Sequence, residues 1–261
     1  MGDRRTAVIT GASSGIGQAC AEAFAREGLH VVLAARRLDR LEHVAATIVG
    51  AGGAATPVAC DVTDPAQVDR AMDTAIAATG RIDVMVCNAG LGYNGRLDET
   101  DADAMRRLMD VNYFGTFHAA RAACRHFRLQ RHGHIFIVSS IVGRKGVPRM
   151  GAYAATKFAQ AGLGESVRAE LAGTGIHVTL VYPISTETEF RSAIAQEWGM
   201  DVSGSGPRQS PEHVATTMVR ALRRPRADVY PMALTRLIPA ASALLPGLAD
   251  WVSARFSRTP R

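Results

Sequence analysis

The chain has very little lysine. Only Lys145 and Lys157 occur among its 30 basic lysine and arginine side chains. An arginine stays protonated in any protein, whereas the pKa of a lysine shifts readily on burial. The lysine in YAATKFA (residues 153–159) therefore raises a question, namely whether that position needs lysine chemistry or only a positive charge.

Other absences narrow the class of protein. The four cysteines are dispersed, without a CxxC pair, which fits a reducing cytosol and predicts a cytoplasmic protein. The eight histidines show no ligand spacing, so no metal site is predicted. We expect His132 and His134 to lie in a solvated turn. The charged start MGDRRT runs into an apolar segment, so no secretory signal is expected.

Positive charge is concentrated near the end of the chain. The net charge is +6, and from Arg220 onward eight arginines stand against two aspartates. Positive and negative side chains are therefore equal in number over the rest of the chain. Because nucleic-acid binding needs clustered cations on a defined surface, we expect no nucleic-acid partner.

Short apolar runs alternate with longer segments of helical period, in which Asp64-Pro65 and Ser210-Pro211 mark helix starts. Near-continuous apolar runs are typical of strands buried on both faces of a parallel sheet. Strict alternation predicts an α/β fold: a doubly wound, mostly parallel, Rossmann-type sheet of about seven strands with helices on both faces, in a single domain. The runs span residues 6–10, 30–35, 56–60, 82–87, 134–139 and 177–182.

We expect a catalytic domain over residues 1–228, with the cofactor site mainly in 1–115 and the catalytic and substrate site mainly in 110–210. Residues 229–261 form an apolar C-terminal extension flanked by arginines. Its apolar stretch, 237–249, is too short to span a membrane. The extension is interpreted first as a subunit contact or lid, with ordinary core and shallow membrane association as alternatives.

A glycine-rich turn, TGASSGIG, follows the first apolar run. Glycines let backbone approach a pyrophosphate, and the following helix offers its N-terminal amides. Between a strand and a helix, this turn predicts a dinucleotide site. The residues expected to bind cofactor there are Gly11, Ser13, Ser14, Gly15, Ile16 and Gly17.

The second run ends in Ala35, Arg36 and Arg37. A cofactor with two free ribose hydroxyls is usually held there by an acidic residue, whereas a 2′-phosphate calls for arginine. The pattern favours NADP(H) over NAD(H). We expect Arg36 to be the main phosphate ligand, with Arg37 and Ser13 assisting.

Small or polar residues follow the third and fourth runs. Each one alone fits a helix cap or a turn. Together, at successive strand ends, they predict the floor of an adenosine site. They are Asp61, Val62, Asn88, Ala89 and Gly90.

Tyr153 and Lys157 share one face of a helix because they are four residues apart. Ser140 ends the fifth run, and Asn112 lies on the helix before it. Here the sequence resembles the short-chain dehydrogenase/reductase family. The matching motifs, in the family's order, are TGASSGIG, CDVTD, CNAG, VNYFG, IVSS and YAATK.

The resemblance implies roles for these residues. Tyr153 would exchange a proton with the substrate oxygen, and Lys157 would lower the pKa of Tyr153 from about 10 and hold the nicotinamide ribose. Ser140, with Ser139 as the alternative, would bind the substrate oxygen. Asn112 would position a water leading from Lys157 to solvent. On this interpretation the lysine is needed for its chemistry.

The resemblance also places Pro183 and Thr188 at the nicotinamide. Ile184 stands where the family usually has glycine, and we expect it to reshape the local backbone or the substrate wall. An apolar wall favours a hydrophobic ketone or aldehyde as substrate. The predicted pocket residues are Tyr93, Val142, Met150, Ile184, Phe190 and Trp198.

The leading hypothesis is an NADPH-dependent carbonyl reductase that acts on a small molecule and forms a homo-oligomer, either a dimer or a tetramer. One alternative is an NAD(P)⁺-dependent alcohol dehydrogenase working in the oxidative direction. Two others belong to different classes: a non-catalytic NADP(H)-binding regulatory protein, and a peripheral membrane protein anchored by its extension. The paired Tyr153 and Lys157 argue against the non-catalytic alternative.

Overall fold

A single parallel sheet organises the molecule. The computed structural model describes residues 4–200 and 208–256, with backbone only for Phe256. Seven strands follow the order β3-β2-β1-β4-β5-β6-β7, and every neighbouring pair is parallel. The predicted doubly wound α/β fold is confirmed. The strands are β1 (Thr6–Thr10), β2 (His30–Ala35), β3 (Ala54–Ala59), β4 (Val84–Cys87), β5 (Gly133–Val138), β6 (Ile176–Val181) and β7 (Asp228–Val229).

Helices connect the strands and cover both faces of the sheet. Two of them, α3 and α8, begin where the sequence predicted. Asp64 accepts a hydrogen bond from the amide of Ala66 at 2.9 Å, and Ser210 accepts one from that of His213 at 3.1 Å. The described helices are α1 (Gly15–Arg26), α2 (Leu38–Gly50), α3 (Pro65–Thr79), α4 (Ala102–Leu108), α5 (Gly115–Gln130), α6 (Gly151–Glu170), α7 (Phe190–Trp198), α8 (Pro211–Arg223), α9 (Ile238–Leu244) and α10 (Pro246–Phe256).

The core has two layers, one on each side of the sheet. Helices α1, α2 and α8 bury Phe24, Leu41 and Met218 against one face. Helices α3 and α5 bury Met72 and Phe127 against the other. Strand residues alternate between the two layers, as the two-residue period of a strand requires.

The order of the strands reverses beside β1. Val8 pairs with Val32 of β2 on one side and with Met85 of β4 on the other. Chain connections therefore leave β1 and β4 in opposite directions and open a crevice beyond their carboxyl ends. The glycine-rich turn, the loop after β4 and the loop after β5 all emerge at this edge.

The expectation that His134 lies in a solvated turn is wrong. His134 is buried inside β5, where its ring stacks on Phe136 at 4.0 Å and bonds the Thr179 hydroxyl at 2.7 Å. Burial, and secondarily the nearby His177, lowers the pKa of His134 to about 3. The ring is therefore neutral at physiological pH. His132, in contrast, lies before the strand and bonds Asp83.

The C-terminal extension begins inside β7 and continues as a 3₁₀ turn, α9 and α10. Lys145 ties it to the loop after β5 through an ion pair with Asp250 at 2.5 Å. Leu244 is 80% exposed and Trp251 58% exposed, which contradicts the alternative that the extension is ordinary core. In the described part of the chain, no helix combines the length and hydropathy needed to cross a membrane.

Candidate active site

The glycine-rich turn has backbone that side chains would disturb. Gly11 and Gly15 have φ values of +66° and +58°, a region that disfavours other residues. A Cβ on Gly17 would lie 2.2 Å from the carbonyl oxygen of Gly11, which is too close for any real contact. The turn therefore keeps its backbone bare at the start of α1, as close approach of a pyrophosphate requires.

Asn88 fixes this turn to the end of β4. Its Nδ2 donates to the carbonyl oxygens of Thr10 and Gly11 at 3.0 and 3.1 Å. The Thr10 hydroxyl in turn accepts from the amides of Asn88 and Ala89. Asn88 and Ala89 thus brace the predicted cofactor site. Gly90, the last of this group, lies beside Asn112 and Lys157, because a Cβ there would be 3.1 Å from Asn112 Oδ1 and 3.7 Å from Lys157 Nζ.

Asp61 and Val62 lie in the segment that follows β3. The Asp61 carboxylate accepts from both the amide and the hydroxyl of Thr63, so it shapes the local turn. Val62 is buried, and its carbonyl oxygen lies 3.0 Å from Nδ1 of His118. Both residues belong to the same carboxyl edge of the sheet as the glycine-rich turn.

Of the two arginines after β2, Arg37 is the one that meets the glycine-rich turn. Its Nη2 donates to the hydroxyls of Ser13 and Ser14 at 3.1 and 3.5 Å. Arg36 is exposed and, within residues 4–200 and 208–256, has no hydrogen bond or ion pair. The geometry thus favours Arg37 over Arg36 as the main neighbour of the turn.

The loop after β6 reaches back over this end of the site. Glu189 forms an ion pair with Arg40 at 2.6 Å and approaches Arg37 at 3.8 Å. Thr188, expected at the nicotinamide, packs directly over Gly15, where a Cβ would come within 2.9 Å of its methyl group. A cleft of about 660 Å³ opens here, lined in part by Ser14, Gly15 and Thr188.

Tyr153 lies on α6 with its hydroxyl directed at Ser140. Burial raises the pKa of Tyr153, and the hydrogen bond with Ser140 opposes that rise. Ser140 caps the short turn after β5 and lies 3.5 Å from the carbonyl oxygen of Pro183. The neighbouring Ser139 instead donates to the Lys157 carbonyl at 2.9 Å. Of the two serines, Ser140 is the one that faces the tyrosine.

Lys157 is almost wholly buried, with 4% of its surface exposed. Its Nζ lies 5.5 Å from the centre of the Tyr153 ring. It donates to the carbonyl oxygen of Val138 at 3.1 Å and to Gln160 Oε1 at 2.9 Å. Burial lowers its pKa from 10.5 to about 7. The ammonium therefore titrates close to neutral pH in this environment.

Asn112 lies in a π-helical turn, Met109–Phe114, between α4 and α5. Such turns often mark functional sites. Its side chain accepts from the amide of Leu91 at 2.7 Å and donates to Leu91 O and Thr156 Oγ1, both at 2.9 Å. The side chain thus holds the loop after β4 against α6. The carbonyl oxygen of Asn112 faces Gln160 instead.

An apolar cluster surrounds Tyr153. Tyr93 meets Trp198 edge-on at 5.5 Å, and Phe190 lies 5.9 Å from the Tyr153 ring. Trp198 Nε1 donates to the carbonyl oxygen of Gly92 at 2.9 Å, which holds α7 over the loop after β4. Val142 and Met150, two further residues of the predicted wall, belong to the same cluster.

Ile184 is the one predicted wall residue outside this cluster. It is half-buried, and its carbonyl oxygen accepts from the Thr186 hydroxyl at 3.0 Å. Pro183, just before it, accepts from the amide of Ile141 at 2.9 Å. The backbone at Pro183 therefore keeps its contact with the loop after β5 although isoleucine follows.

The comparison with known proteins agrees with this arrangement. A family model described as short chain dehydrogenase matches residues 5–198. The chain belongs to the short-chain dehydrogenase/reductase family. Solved structures of similar proteins contain NAD or NADP, and the bare backbone of the glycine-rich turn fits a dinucleotide of that kind.

Relatives of this short-chain dehydrogenase/reductase differ in size. The glycine betaine reductase ATRR of Emericella nidulans is 37% identical over 224 residues, which cover 85% of this chain but only 18% of that protein. Dehydrogenase/reductase SDR family member 7B of Mus musculus is 30% identical over 266 residues, covering 97% and 81%. A structure from Burkholderia phymatum in complex with NAD has a TM-score of 0.83 at 26% identity, covering 99% and 98%.

Several contacts in this short-chain dehydrogenase/reductase site were not predicted from the sequence. Gln160, Arg40 and Glu189 each bond a predicted site residue or its neighbour. The one available signal was Gln160, a polar residue three positions after Lys157 on the same helix. No group of three or more His, Cys, Asp or Glu side chains in the described ranges could hold a metal ion.

Proposed function

We propose that this protein is an NADPH-dependent carbonyl reductase acting on a hydrophobic ketone or aldehyde. The observation that carries the proposal is the buried Tyr153 hydroxyl. It lies near the Ser140 hydroxyl and within an apolar cluster, and the Lys157 ammonium lies 5.5 Å from the centre of its ring. A proton donor, an oxygen-binding hydroxyl and a buried cation at one spot suit proton transfer to a carbonyl oxygen.

A bound reduced nicotinamide supplies hydride for the carbonyl carbon. The chain's own residues manage the oxygen. Ser140 Oγ donates a hydrogen bond to it, and Tyr153 Oη gives it a proton, so the product is a neutral alcohol and the tyrosine is left as phenolate. Lys157 stabilises that phenolate, since an opposite charge within a few ångströms favours the ionised form. In the reverse direction, the oxidation of an alcohol, the Tyr153 phenolate acts as the base that accepts the hydroxyl proton.

We attribute the preference for NADPH to Arg37 and its surroundings. Ala35 leaves β2 without the carboxylate that would bind free ribose hydroxyls. Arg37, already held by Ser13, presents a guanidinium suited to bidentate phosphate binding. Arg40 adds a second cation on the first turn of α2. Arg36 is kept as a secondary ligand.

A hydrophobic substrate follows from the walls of the site. Tyr93, Phe190 and Trp198 present aromatic surface within reach of Tyr153, and the adjoining aliphatic residues are apolar. Burying apolar surface contributes about 25 cal/mol per Å². An aromatic or long-chain carbonyl compound would therefore bind better than a small polar one.

We further propose that the protein works as a homo-oligomer in the cytoplasm. The apolar side chains left exposed on the C-terminal extension favour a subunit contact. Light scattering on the full-length chain tests this directly, and a monomer at all concentrations would refute it.

The test of the proposed function is NADPH oxidation with a panel of aliphatic, aromatic and polycyclic ketones and aldehydes. Ser140→Ala is measured beside the wild type. We expect turnover of the larger apolar compounds and a loss of about 10²-fold or more in kcat for the variant. No turnover of any carbonyl compound, or an unchanged kcat in the variant, would refute the proposal.

A further inference from the structure

Gln160 is a fully buried amide next to the catalytic lysine. It lies three residues after Lys157 on α6 and has no solvent exposure. Its Oε1 accepts from Lys157 Nζ at 2.9 Å. Its Nε2 donates to the carbonyl oxygen of Asn112 at 2.8 Å and to Thr116 Oγ1 at 2.7 Å. Both ends of the amide are therefore bonded.

This amide joins the helix that carries the lysine to the segment that carries Asn112. Asn112 lies in the π-helical turn and Thr116 in the first turn of α5. Thr116 is buried as well. The only protein link between Lys157 Nζ and the Asn112 carbonyl among the described residues is the side chain of Gln160.

Core packing alone does not account for this choice of residue. A buried amide costs free energy unless both its ends are hydrogen-bonded, whereas an apolar side chain of similar size would fill the same volume without that requirement. The orientation is also informative. Gln160 directs its carbonyl oxygen at an ammonium and its NH₂ at two acceptors, so its dipole favours the charged form of Lys157.

We propose that Gln160 is a positioning residue that holds the Lys157 ammonium in place and keeps it charged, by bridging it to the Asn112 carbonyl. Calling that ammonium catalytic rests on the proposed function, whereas the bridge itself does not. The family resemblance implied only that Asn112 positions a water leading from Lys157 to solvent. The amide bridge from Lys157 to the Asn112 carbonyl is a separate contact within the protein.

Few charged groups face Lys157. On its own helix the titratable neighbour is Tyr153. Strand β5 offers the Val138 carbonyl, and the π-helical turn and α5 offer only neutral groups. Within residues 4–200 and 208–256, no carboxylate forms an ion pair with Lys157. Neutral acceptors must therefore offset the cost of burying the ammonium, and Gln160 is one of the two that do so.

The small number of lysines makes a direct test practical. Protein labelled with ¹³C at the lysine ε position gives signals from Lys145 and Lys157 alone. A Lys145→Arg background, which keeps the surface charge, leaves only Lys157. Its chemical shift followed against pH reports the pKa of Lys157 without any substrate or turnover.

The two substitutions at Gln160 should move that pKa in opposite directions. Gln160→Leu removes the acceptor, and because a hydrogen bond to a charged group is worth about one pH unit or more, we expect the pKa to fall by about one. Gln160→Glu places a carboxylate beside the ammonium, and we expect the pKa to rise. Titration curves that coincide with the wild type in both variants would overturn the proposal.

The matched control is Gln130→Leu. Gln130 also uses both ends of its amide, bonding Ile82 O at 2.6 Å and Ile82 N at 3.2 Å, but at the far end of α5. It should lower stability without moving the titration of Lys157. If Gln130→Leu and Gln160→Leu change the pKa of Lys157 equally, the change reflects a general loss of stability, and that result would also overturn the proposal.

Activity adds a second readout that separates the two claims. If the protein is a reductase, the high-pH limb of kcat should move to lower pH in Gln160→Leu and to higher pH in Gln160→Glu. If no carbonyl compound is reduced, the proposed function fails while the NMR titration still decides the role of Gln160. If the enzyme is active and the high-pH limb of kcat lies at the same pH in the wild type and in both variants, the proposed role of Gln160 is contradicted.

Discussion

The burial of Lys157 should make the cofactor-free protein more stable as the pH rises above neutral. Its pKa is about 7 in the folded chain against an ordinary value of 10.5. At about 1.36 kcal/mol for each tenfold change, keeping the ammonium buried costs about 5 kcal/mol well below pH 7. Replacing this lysine should therefore remove a cost that is large at acidic and neutral pH and small at alkaline pH.

The sign follows from proton binding. Between the two pKa values the unfolded chain binds more protons than the folded chain, so the free energy of unfolding increases with pH. The gain should reach roughly 2 kcal/mol between pH 7 and pH 9. His134 does not contribute in the range from pH 7 to pH 9, because its lowered pKa changes the free energy of unfolding only below about pH 6.5. The buried Cys20 and Cys87 do not contribute in this range either, because their raised pKa values lower the free energy of unfolding only above about pH 9.0.

Urea unfolding of the wild type and of Lys157→Met at pH 7, 8 and 9 measures the effect. Contributions shared by both proteins cancel in the difference between them. We expect the free energy of unfolding of Lys157→Met, relative to the wild type, to fall by about 2 kcal/mol between pH 7 and pH 9. The variant also leaves Gln160 Oε1 and the Val138 carbonyl without this donor, a cost that does not change with pH. Parallel stability curves would therefore refute the reasoning that burial depresses this pKa.

Three further predictions concern how the protein recognises its cofactor and its substrate. Gly17→Ala forces a Cβ to within 2.2 Å of a carbonyl oxygen, and at about 1–3 kcal/mol of strain it should weaken binding of the dinucleotide roughly tenfold in a fluorescence titration. Glu189→Gln releases Arg37 and Arg40, and since an exposed ion pair is worth less than about 1 kcal/mol, NADPH should bind about threefold more tightly, with NADH unchanged. Trp198→Ala should lower kcat/KM roughly tenfold for bulky apolar ketones and much less for small polar ones, as steady-state kinetics would measure. In each case an unchanged value contradicts the assigned contact.

The inner strands of the sheet were predictable because they are buried on both faces and therefore nearly continuous in apolar sequence, whereas the edge strand β3 is mostly half-buried. Strand β7 is the exception, since Asp228–Val229 is too short to show any period. His134 was misjudged for a related reason. A histidine beside polar residues indicates a turn, but the Thr179 hydroxyl on the neighbouring strand satisfies the ring inside the sheet.

The site could be predicted where spacing along one element decides the geometry. Tyr153 and Lys157 share a helix face whatever the rest of the chain does. Contacts between distant segments lacked such a signal. Arg40 and Glu189 are 149 positions apart, and only the folded loop after β6 brings them together. The choice between Arg36 and Arg37 likewise depends on which side chain turns toward Ser13.

The most direct test of the central claim compares Tyr153→Phe with the wild type in NADPH-dependent carbonyl reduction, with NADPH binding measured on the same samples. Tyr182→Phe is the matched control, because the Tyr182 hydroxyl is buried without a hydrogen-bond partner in the described structure. We expect Tyr153→Phe to lose about 10²-fold or more of kcat while NADPH binding changes little, and Tyr182→Phe to remain active. Retained turnover in Tyr153→Phe would contradict the account.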